Sequence, residues 1–288
     1  MILALSMSKK MGNKRSKRLS SLPPGKSLYN AYRGAMAYIE VRLPNGDVSI
    51  GTAFHVGEGI FITAKHVVEG NAIIFMATTE GFAVPDEDGL MTIHGDPQRY
   101  STVSPQVLTV VAGPFFHPDK GIDVAAVVVR ETNMKVVTLG GHLDDWINDS
   151  QFIMVETIVM GYPPIPFSEG PILVTARGEI NGVLDRRDSR HPHFLISAMA
   201  RGGFSGGLCL IEWGFALGVI TESLVTNDQA PELGFMAVIS IEPIFVCLQH
   251  HQILPAVQKQ GWDGLWDRNT DDPVQINDAP FEVGKPQF

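Results

Sequence analysis

A single serine stands inside a glycine-rich stretch that has apolar segments on both sides. The stretch is Arg201-Gly-Gly-Phe-Ser-Gly-Gly-Leu208, with Ser205 at its centre. Because glycine permits backbone angles that other residues resist, a tight loop of this kind can hold a hydroxyl outward and aim N–H groups at one point. Acyl transfer needs a nucleophile beside such donors, which stabilise the developing oxyanion. Taken alone, the stretch is explained nearly as well by a plain turn between two strands.

A histidine and an aspartate elsewhere in the chain supply what a serine nucleophile lacks. His66 ends the strand pattern that begins at Gly59, and Asp123 opens the apolar pattern Gly121-Ile-Asp-Val-Ala-Ala-Val127. A neutral imidazole can take a hydroxyl proton near pH 7, and a carboxylate can fix its tautomer and stabilise the imidazolium. Singly, His66 is equally well a strand-end histidine, and Asp123 is better explained as a turn residue. Together with Ser205, in the order His, Asp, Ser, they indicate a catalytic triad.

The other histidines do not indicate a metal centre. His191-Pro-His193 and His250-His251 have no cysteine, aspartate or glutamate at ligand spacing, so surface histidines are the better explanation. His117 is expected in a loop at the edge of the core. We therefore expect no metal and no cofactor.

Short apolar runs, separated by Gly, Pro, Asn and Asp, are the elements that must position these residues. Runs of this kind, rich in Val and Ile, are typical of an all-β sandwich or a pair of barrels. The polar segment 78–104 is expected to form a long surface loop, and 240–252 a helix with one apolar face. The predicted strands are 36–43, 48–56, 59–63, 72–77, 106–112, 123–129, 152–160, 172–180, 193–198, 207–211, 215–221 and 234–239.

Composition and charge limit the function classes. The chain has 288 residues, of which 44% are hydrophobic and 18% charged, and this fits a globular protein of about two modules. No apolar run approaches the roughly 20 residues of a membrane span. Residues 1–26 are rich in Lys and Arg and hold no acidic residue, so the net charge of −9 understates the acidity of the remainder. That acidic body argues against nucleic acid as the main partner.

The N-terminus and the cysteines favour a cytoplasmic protein. Met1-Ile-Leu-Ala-Leu5 is too short for the apolar core of a secretory signal, and the basic residues follow it rather than precede it. Cys209 and Cys247 lie in apolar runs, so buried free thiols are expected rather than a disulfide framework. Free thiols suit a reducing compartment.

Taken in order, the motifs resemble those of the trypsin-like (chymotrypsin-fold) serine peptidases, and most of all the disulfide-free bacterial branch that includes the heat-shock proteases. The resemblance runs over residues 30–250. Lys65 departs from it, since the family usually has Ala there. The matching motifs are Gly51-Thr-Ala-Phe54, Thr63-Ala-Lys-His66, Asp123-Val-Ala-Ala126, Val159-Met-Gly-Tyr-Pro163, Gly178-Glu-Ile180, Phe204-Ser-Gly-Gly207 and Phe235-Met-Ala-Val238.

The resemblance implies an all-β fold of two six-stranded antiparallel β-barrels with a C-terminal helix, and a site in the cleft between the barrels. The domains assigned on this basis are a basic disordered tail (1–26), an N-terminal barrel (27–140), a C-terminal barrel with the helix (141–254) and a C-terminal tail (255–288).

The resemblance also assigns roles to individual residues. Ser205 is the nucleophile, His66 the general base and then the general acid, and Asp123 its orienting partner. The backbone N–H groups of Gly203 and Ser205 form the oxyanion hole, and Thr221 falls where the family often has a hydroxyl that supports the aspartate. The substrate pocket is assigned to Met199 at its base, Ser223 along its entrance and Gly234 across from Met199, and Thr221 is included among the pocket residues.

Two substitutions relative to the family carry expectations of their own. Lys/Arg-specific relatives place an acidic residue where this chain has Met199, so small or medium apolar residues are expected before the cut bond, with Glu222 the acid nearest the pocket wall. Phe204 stands where secreted relatives have an aspartate that pairs with a new N-terminal amine. We therefore expect an enzyme that is not a zymogen, with Phe204 packed into the second barrel.

The sequence thus predicts a cytoplasmic serine endopeptidase that cleaves protein or peptide substrates through an acyl-enzyme. The alternative is a trypsin-fold interaction or effector protein with little activity until a partner binds. Labelling of Ser205 by a fluorophosphonate in the isolated protein distinguishes the two.

Overall fold

The computed structural model describes residues 24–79, 83–85, 91–93, 106–141, 152–184, 191–198, 202–223, 235–260, 262, 264–266 and 273–274. Two antiparallel sheets make up most of this chain, and one hydrophobic core includes residues from both. The prediction of an all-β protein is confirmed.

The first sheet comes from the N-terminal half of the chain, after helix α1 (Pro24–Tyr32). A short helix, α2 (Lys65–Val68), follows its third strand, and strands β5 (Ala83–Pro85) and β6 (Met91–Ile93) form a separate hairpin. The strands of the sheet are β1 (Met36–Arg42), β2 (Val48–Gly57), β3 (Ile60–Thr63), β4 (Ala72–Thr78), β7 (Gln106–Val107), β8 (Val110–Phe116) and β9 (Ala125–Val129). Their spatial order is β7-β4-β1-β2-β3-β9-β8.

The second sheet closes into a six-stranded barrel in the order β10-β11-β12-β15-β14-β13, and helix α3 (Glu242–His250) follows it. Every residue of α3 from its start to Leu248 is buried, which explains why its sequence is apolar nearly all round. A two-stranded ribbon of β16 (Leu265–Trp266) and β17 (Pro273–Val274) comes last. The barrel strands are β10 (Glu156–Gly161), β11 (Val174–Leu184), β12 (His193–Ile196), β13 (Leu208–Ile211), β14 (Ala216–Ser223) and β15 (Met236–Ser240).

Strand β2 connects the two halves of the fold. It starts exposed at Val48 and is fully buried from Gly51 onward. The buried end pairs with β1 and β3 and also contacts β10 of the barrel. A strand buried on both faces is expected to be apolar or small throughout, and Gly51-Thr-Ala-Phe54 fits that requirement.

The observed elements follow most of the predicted ones, with several differences. The hairpin of β5 and β6 lies inside the segment 78–104 that was predicted to be a loop, and the ribbon of β16 and β17 lies inside the predicted C-terminal tail. The first unit is a sheet of seven described strands rather than a closed six-stranded barrel, and the ladder between β8 and β9 is interrupted by register shifts around Pro114, which has no N–H to donate. Helix α1 was missed and begins inside the segment predicted to be a tail; packing of Leu28 and a hydrogen bond from the Tyr32 hydroxyl to the Gly214 carbonyl (3.3 Å) hold it. Residues 1–23 and most of the predicted loop 78–104 lie outside the described residues.

The histidines are less exposed than predicted. His191 and His193 are only 3% and 4% exposed, so the prediction of surface histidines is wrong for this pair. His193 is buried because β12, which begins with it, lies between β11 and β15 in the closed barrel, and the His191 ring lies 6.3 Å from that of His117. His117 is also buried, whereas His250 is exposed as predicted.

None of the helices in the described part of the chain has the length and apolar character needed to cross a bilayer.

We predict that His117 makes the fold sensitive to acid. Burial, assisted by the neighbouring His191, lowers the pKa of His117 to about 4. An unfolded histidine titrates near pH 6.5, so below that pH the unfolded chain binds a proton that the folded chain excludes. Stability from this group is therefore complete above pH 6.5 and is lost as the pH falls toward 4, by about 2 kcal/mol between pH 7 and pH 5.

The change His117→Asn removes the titrating ring and keeps an acceptor for the Asp119 N–H, which bonds to His117 Nδ1 at 3.0 Å. Urea unfolding at pH 7 and pH 5 should show a smaller pH difference in this variant than in wild type. The exposed His250→Asn is the comparison variant. Its charge is the last of the contributions that lower the pKa of His117, so it should change the pH difference far less than His117→Asn does. An unchanged pH difference in His117→Asn would show that other groups cause the acid sensitivity.

Candidate active site

His66 and Asp123 form a dyad with two contacts. The His66 ring donates from Nδ1 to Asp123 Oδ2 at 2.8 Å, since a carboxylate can only accept, and the His66 backbone N–H donates to Oδ1 at 2.9 Å. Both oxygens of the Asp123 carboxylate thus accept hydrogen bonds from His66, and this fixes the plane and the tautomer of the ring. With the proton on Nδ1, the basic lone pair of the neutral ring is on Nε2. The His66 side chain is 48% exposed and that of Asp123 only 19%.

The pairing of β3 with β9 sets the dyad. Thr63, the last residue of β3, lies opposite Ala125, the first residue of β9. His66 follows Thr63 by three residues and Asp123 precedes Ala125 by two, so an antiparallel ladder brings both to the same end of the sheet. The register of this ladder therefore determines the distance between imidazole and carboxylate.

Lys65, which departs from the family pattern, ties the histidine segment to the aspartate loop. Its ammonium donates to the Lys120 carbonyl at 2.9 Å and lies 3.3 Å from the Glu69 carboxylate. The loop is also closed on itself, because the Gly121 N–H donates to Asp119 Oδ1 at 2.9 Å.

Ser205 lies in a tight loop between the barrel strands β12 and β13, flanked by two glycines with positive φ. Gly203 has φ +88° and Gly206 φ +83°, a region that favours glycine. The loop returns to the barrel through the Gly206 N–H, which donates to the Ile220 carbonyl at 2.7 Å. The Ser205 hydroxyl donates to the Thr221 carbonyl at 3.4 Å.

The nucleophile loop packs directly against the segment that leads to His66. The Ser205 carbonyl accepts from the Thr52 N–H of β2 at 2.9 Å, and a Cβ at Gly206 would overlap both the Thr52 carbonyl oxygen and the Thr63 hydroxyl. Because Thr63 lies three residues before His66, the loop and the dyad occupy facing segments. Contacts between the two sheets thus place the Ser205 loop against the segment that leads to His66.

Phe204 is packed as predicted. It is 3% exposed and belongs to the main hydrophobic core. Its ring lies against Gly161 at the end of β10, where a Cβ would come within 2.7 Å of Phe204 Cδ1. Phe204, which directly precedes Ser205, is therefore held in the barrel by apolar contact.

The remaining predicted site residues are placed only in part. Thr221 is buried, and its hydroxyl donates to the Ala237 carbonyl at 3.4 Å rather than to the Asp123 carboxylate. The backbone of Ser223 ends β14, while Met199 and Gly234 lie outside the described residues. The pocket and the oxyanion-hole assignment of the Gly203 and Ser205 N–H groups therefore stay predictions.

Sequence reasoning overlooked Thr52, which contacts the nucleophile loop through both its backbone and its side chain. Its hydroxyl donates to the Gly203 carbonyl at 2.6 Å and accepts from the Tyr162 N–H at 2.8 Å. The signal was present in Gly51-Thr-Ala-Phe54, where a threonine stands in a run that is otherwise apolar or glycine.

The described residues contain no group of three or more His, Cys, Asp or Glu side chains arranged to hold a metal ion. Both cysteines are free and buried, as predicted. Burial raises the pKa of Cys247 to about 12 and that of Cys209 further still, so neither thiol is ionised near neutral pH.

The protein thus has two sheets, with the His66–Asp123 dyad in one and the Ser205 loop in the other. The sequence profile of the trypsin-like peptidase domain matches residues 51–219, which is more than half of the chain. The protein belongs to this family of serine peptidases, and the predicted resemblance is confirmed. No curated protein sequence matches the chain.

Solved structures share the fold at low sequence identity. An HtrA-type protease, AlgW, in a variant solved with a tripeptide, has a TM-score of 0.53 at 17% identity, with 78% of this chain and 62% of that chain covered. The active form of the Rv3671c protease from M. tuberculosis has a TM-score of 0.50 at 19% identity, covering 77% and 82%. The serine endoprotease from Yersinia pestis has a TM-score of 0.50 at 17% identity, covering 80% and 66%. The chain thus spans less than two thirds of AlgW.

We predict that Gly206→Ala disrupts the loop. The new Cβ would overlap the Thr52 and Thr63 oxygens at a positive φ, so strain and overpacking together should cost about 3 kcal/mol or more. Chemical denaturation measures the loss.

Two glycine controls separate the causes. Gly70→Ala has a positive φ but no atom within 4 Å of the new Cβ, so it reports backbone strain alone. Gly202→Ala has open space and no positive φ, and it should be nearly neutral. A Gly206→Ala variant no less stable than Gly70→Ala would show that the close approach is not a constraint.

Proposed function

We propose that the protein is a serine endopeptidase that cleaves peptide bonds through an acyl-enzyme, with Ser205 as nucleophile, His66 as base and Asp123 as its orienting partner. The observation that carries this proposal is the doubly bonded dyad, in which Asp123 accepts from both the ring and the backbone of His66 at 2.8 and 2.9 Å. A histidine that only ended a strand would not require its ring and its backbone N–H to be bonded to the same carboxylate.

The geometry supports a sequence of proton transfers that pass through His66. His66 Nε2 takes the Ser205 hydroxyl proton as Oγ attacks the substrate carbonyl carbon, and Asp123 stabilises the resulting imidazolium. The N–H groups of Gly203 and Ser205 donate hydrogen bonds that stabilise the negative charge developing on the carbonyl oxygen. His66 then gives the proton to the leaving amine, and water repeats the steps on the acyl-enzyme.

The Ser205 hydroxyl must turn before it can react. At 3.4 Å, its contact with the Thr221 carbonyl is a weak hydrogen bond, so rotation to another staggered χ1 position costs little. Catalytic hydrogen bonds often tighten only when substrate is bound.

The same contact supports a second candidate function. A serine whose hydroxyl faces a backbone carbonyl suits a trypsin-fold effector with little activity until a partner binds and shifts the population toward the active arrangement. In either case the proposed partner is a protein or peptide rather than nucleic acid, and the two buried free thiols favour the cytoplasm.

A fluorophosphonate probe tests the mechanism. Wild-type protein should be labelled at Ser205, located by mass spectrometry, while Ser205→Ala should remain folded and lose peptidase activity by roughly 10⁴-fold or more, as should His66→Ala. The exposed Ser197→Ala is the matched control. Cleavage by Ser205→Ala at the wild-type rate contradicts the mechanism, and wild-type protein that is labelled only after a partner is added favours the effector.

We predict uncharged, small or medium apolar residues before the cut bond. Burying a Lys or Arg cation against the Met199 thioether without a counter-charge would be costly. Cleavage of a denatured proteome, read by mass spectrometry, gives the preference directly. A majority of Lys or Arg at this position would instead show that Glu222 or another acid reaches the pocket.

A further inference from the structure

Four hydrogen bonds converge on Thr52, a fully buried residue of β2. Its hydroxyl donates to the Gly203 carbonyl at 2.6 Å and accepts from the Tyr162 N–H at 2.8 Å. Its backbone N–H donates to the Ser205 carbonyl at 2.9 Å, and its carbonyl accepts from the Thr63 hydroxyl at 2.7 Å. One residue of the first sheet therefore binds the nucleophile loop on both sides of Phe204.

These bonds fix peptide groups that glycine would otherwise leave free to turn. Gly203 has a positive φ and no side chain, so the peptide groups beside it can rotate at little cost. Thr52 holds the carbonyl of the peptide after Gly203, and the Gly207 N–H holds the Phe204 carbonyl at 2.7 Å. Because a trans peptide is planar, fixing the Phe204 carbonyl also fixes the direction of the Ser205 N–H.

We infer that Thr52 is a positioning residue for the reaction: its hydroxyl anchors the Gly203–Phe204 peptide, which lies between the two peptides that carry the oxyanion-hole N–H groups of Gly203 and Ser205, and so limits how far those two peptides can turn. The inference rests on the proposed peptidase function. A hydroxyl suits this positioning role because it can donate one hydrogen bond and accept another at the same time. Here it donates to the Gly203 carbonyl and accepts from the Tyr162 N–H. Through this contact, the conformation of the Ser205 loop, which belongs to the barrel, depends on strand β2 of the first sheet.

The test measures how fast a fluorophosphonate inactivates Thr52 variants. In that reaction the bond from Ser205 Oγ to phosphorus forms, the phosphorus–fluorine bond breaks, fluoride leaves, and the hydroxyl proton passes to His66 and then to solvent. The phosphoryl oxygen needs the oxyanion hole during the attack, and no substrate has to be known.

Thr52→Val keeps the shape and removes the hydroxyl, so the second-order rate constant should fall by about 10-fold or more. Thr52→Ser should recover it to within about 3-fold, and Thr52→Cys, a weaker donor, should fall between the two. If Thr52→Val does not fold, the order Thr, Ser, Cys still decides the question. The matched control is Thr157→Val, the same change at a buried threonine of β10 that pairs with Ile211 and Gly178.

A second measurement distinguishes loss of loop positioning from a wider disturbance of the site. The proton between His66 Nδ1 and Asp123, seen as a downfield proton resonance, should be unchanged in Thr52→Val because the dyad is set by the β3–β9 ladder. Inactivation of Thr52→Val at the wild-type rate, an equal loss in Thr157→Val, or a shifted dyad proton overturns the assignment. Wild-type protein that is not labelled at Ser205 overturns the peptidase proposal, and the Thr52 assignment with it.

Discussion

The site depends on how closely the nucleophile loop approaches the end of β2. Gly206 lies so near the Thr52 carbonyl and the Thr63 hydroxyl that no Cβ fits, and its φ of +83° is one that side chains rarely adopt. Glycine satisfies both conditions at once. This approach brings a loop of the barrel within hydrogen-bond distance of the other sheet, so residues of both sheets contribute to the candidate site.

The two sheets contribute different residues to the candidate site. The first holds His66 and Asp123 together through a strand ladder. The second holds Ser205, whose loop is fixed by the buried ring of Phe204 and by neutral hydrogen bonds instead of an ion pair. Contacts of this kind contain no titrating group, so they do not weaken with salt as exposed ion pairs do.

Much of the fold was predictable because it is encoded in residues that are neighbours along the chain. The alternation and punctuation of apolar runs gave β2 as 48–56, where the structure has Val48–Gly57, and the apolar face of 240–252 gave α3. Helix α1 was missed because Pro24 and Gly25 in its first turn are residues typical of turns, and packing of Leu28 against the core outweighs them. The open edge of the first sheet depends on strand pairing, which local patterns do not specify.

For the candidate site, the sequence by itself led to Ser205, His66 and Asp123 as the proposed triad, because their residue types and order are those of nucleophilic catalysis. Only the tertiary structure decided which groups hold them. The partners of the Thr52 hydroxyl are 110 and 151 residues away in the chain, and the buried His191 ring lies beside that of the distant His117. Such contacts result from packing between distant segments, and a single sequence carries no periodic signal for them.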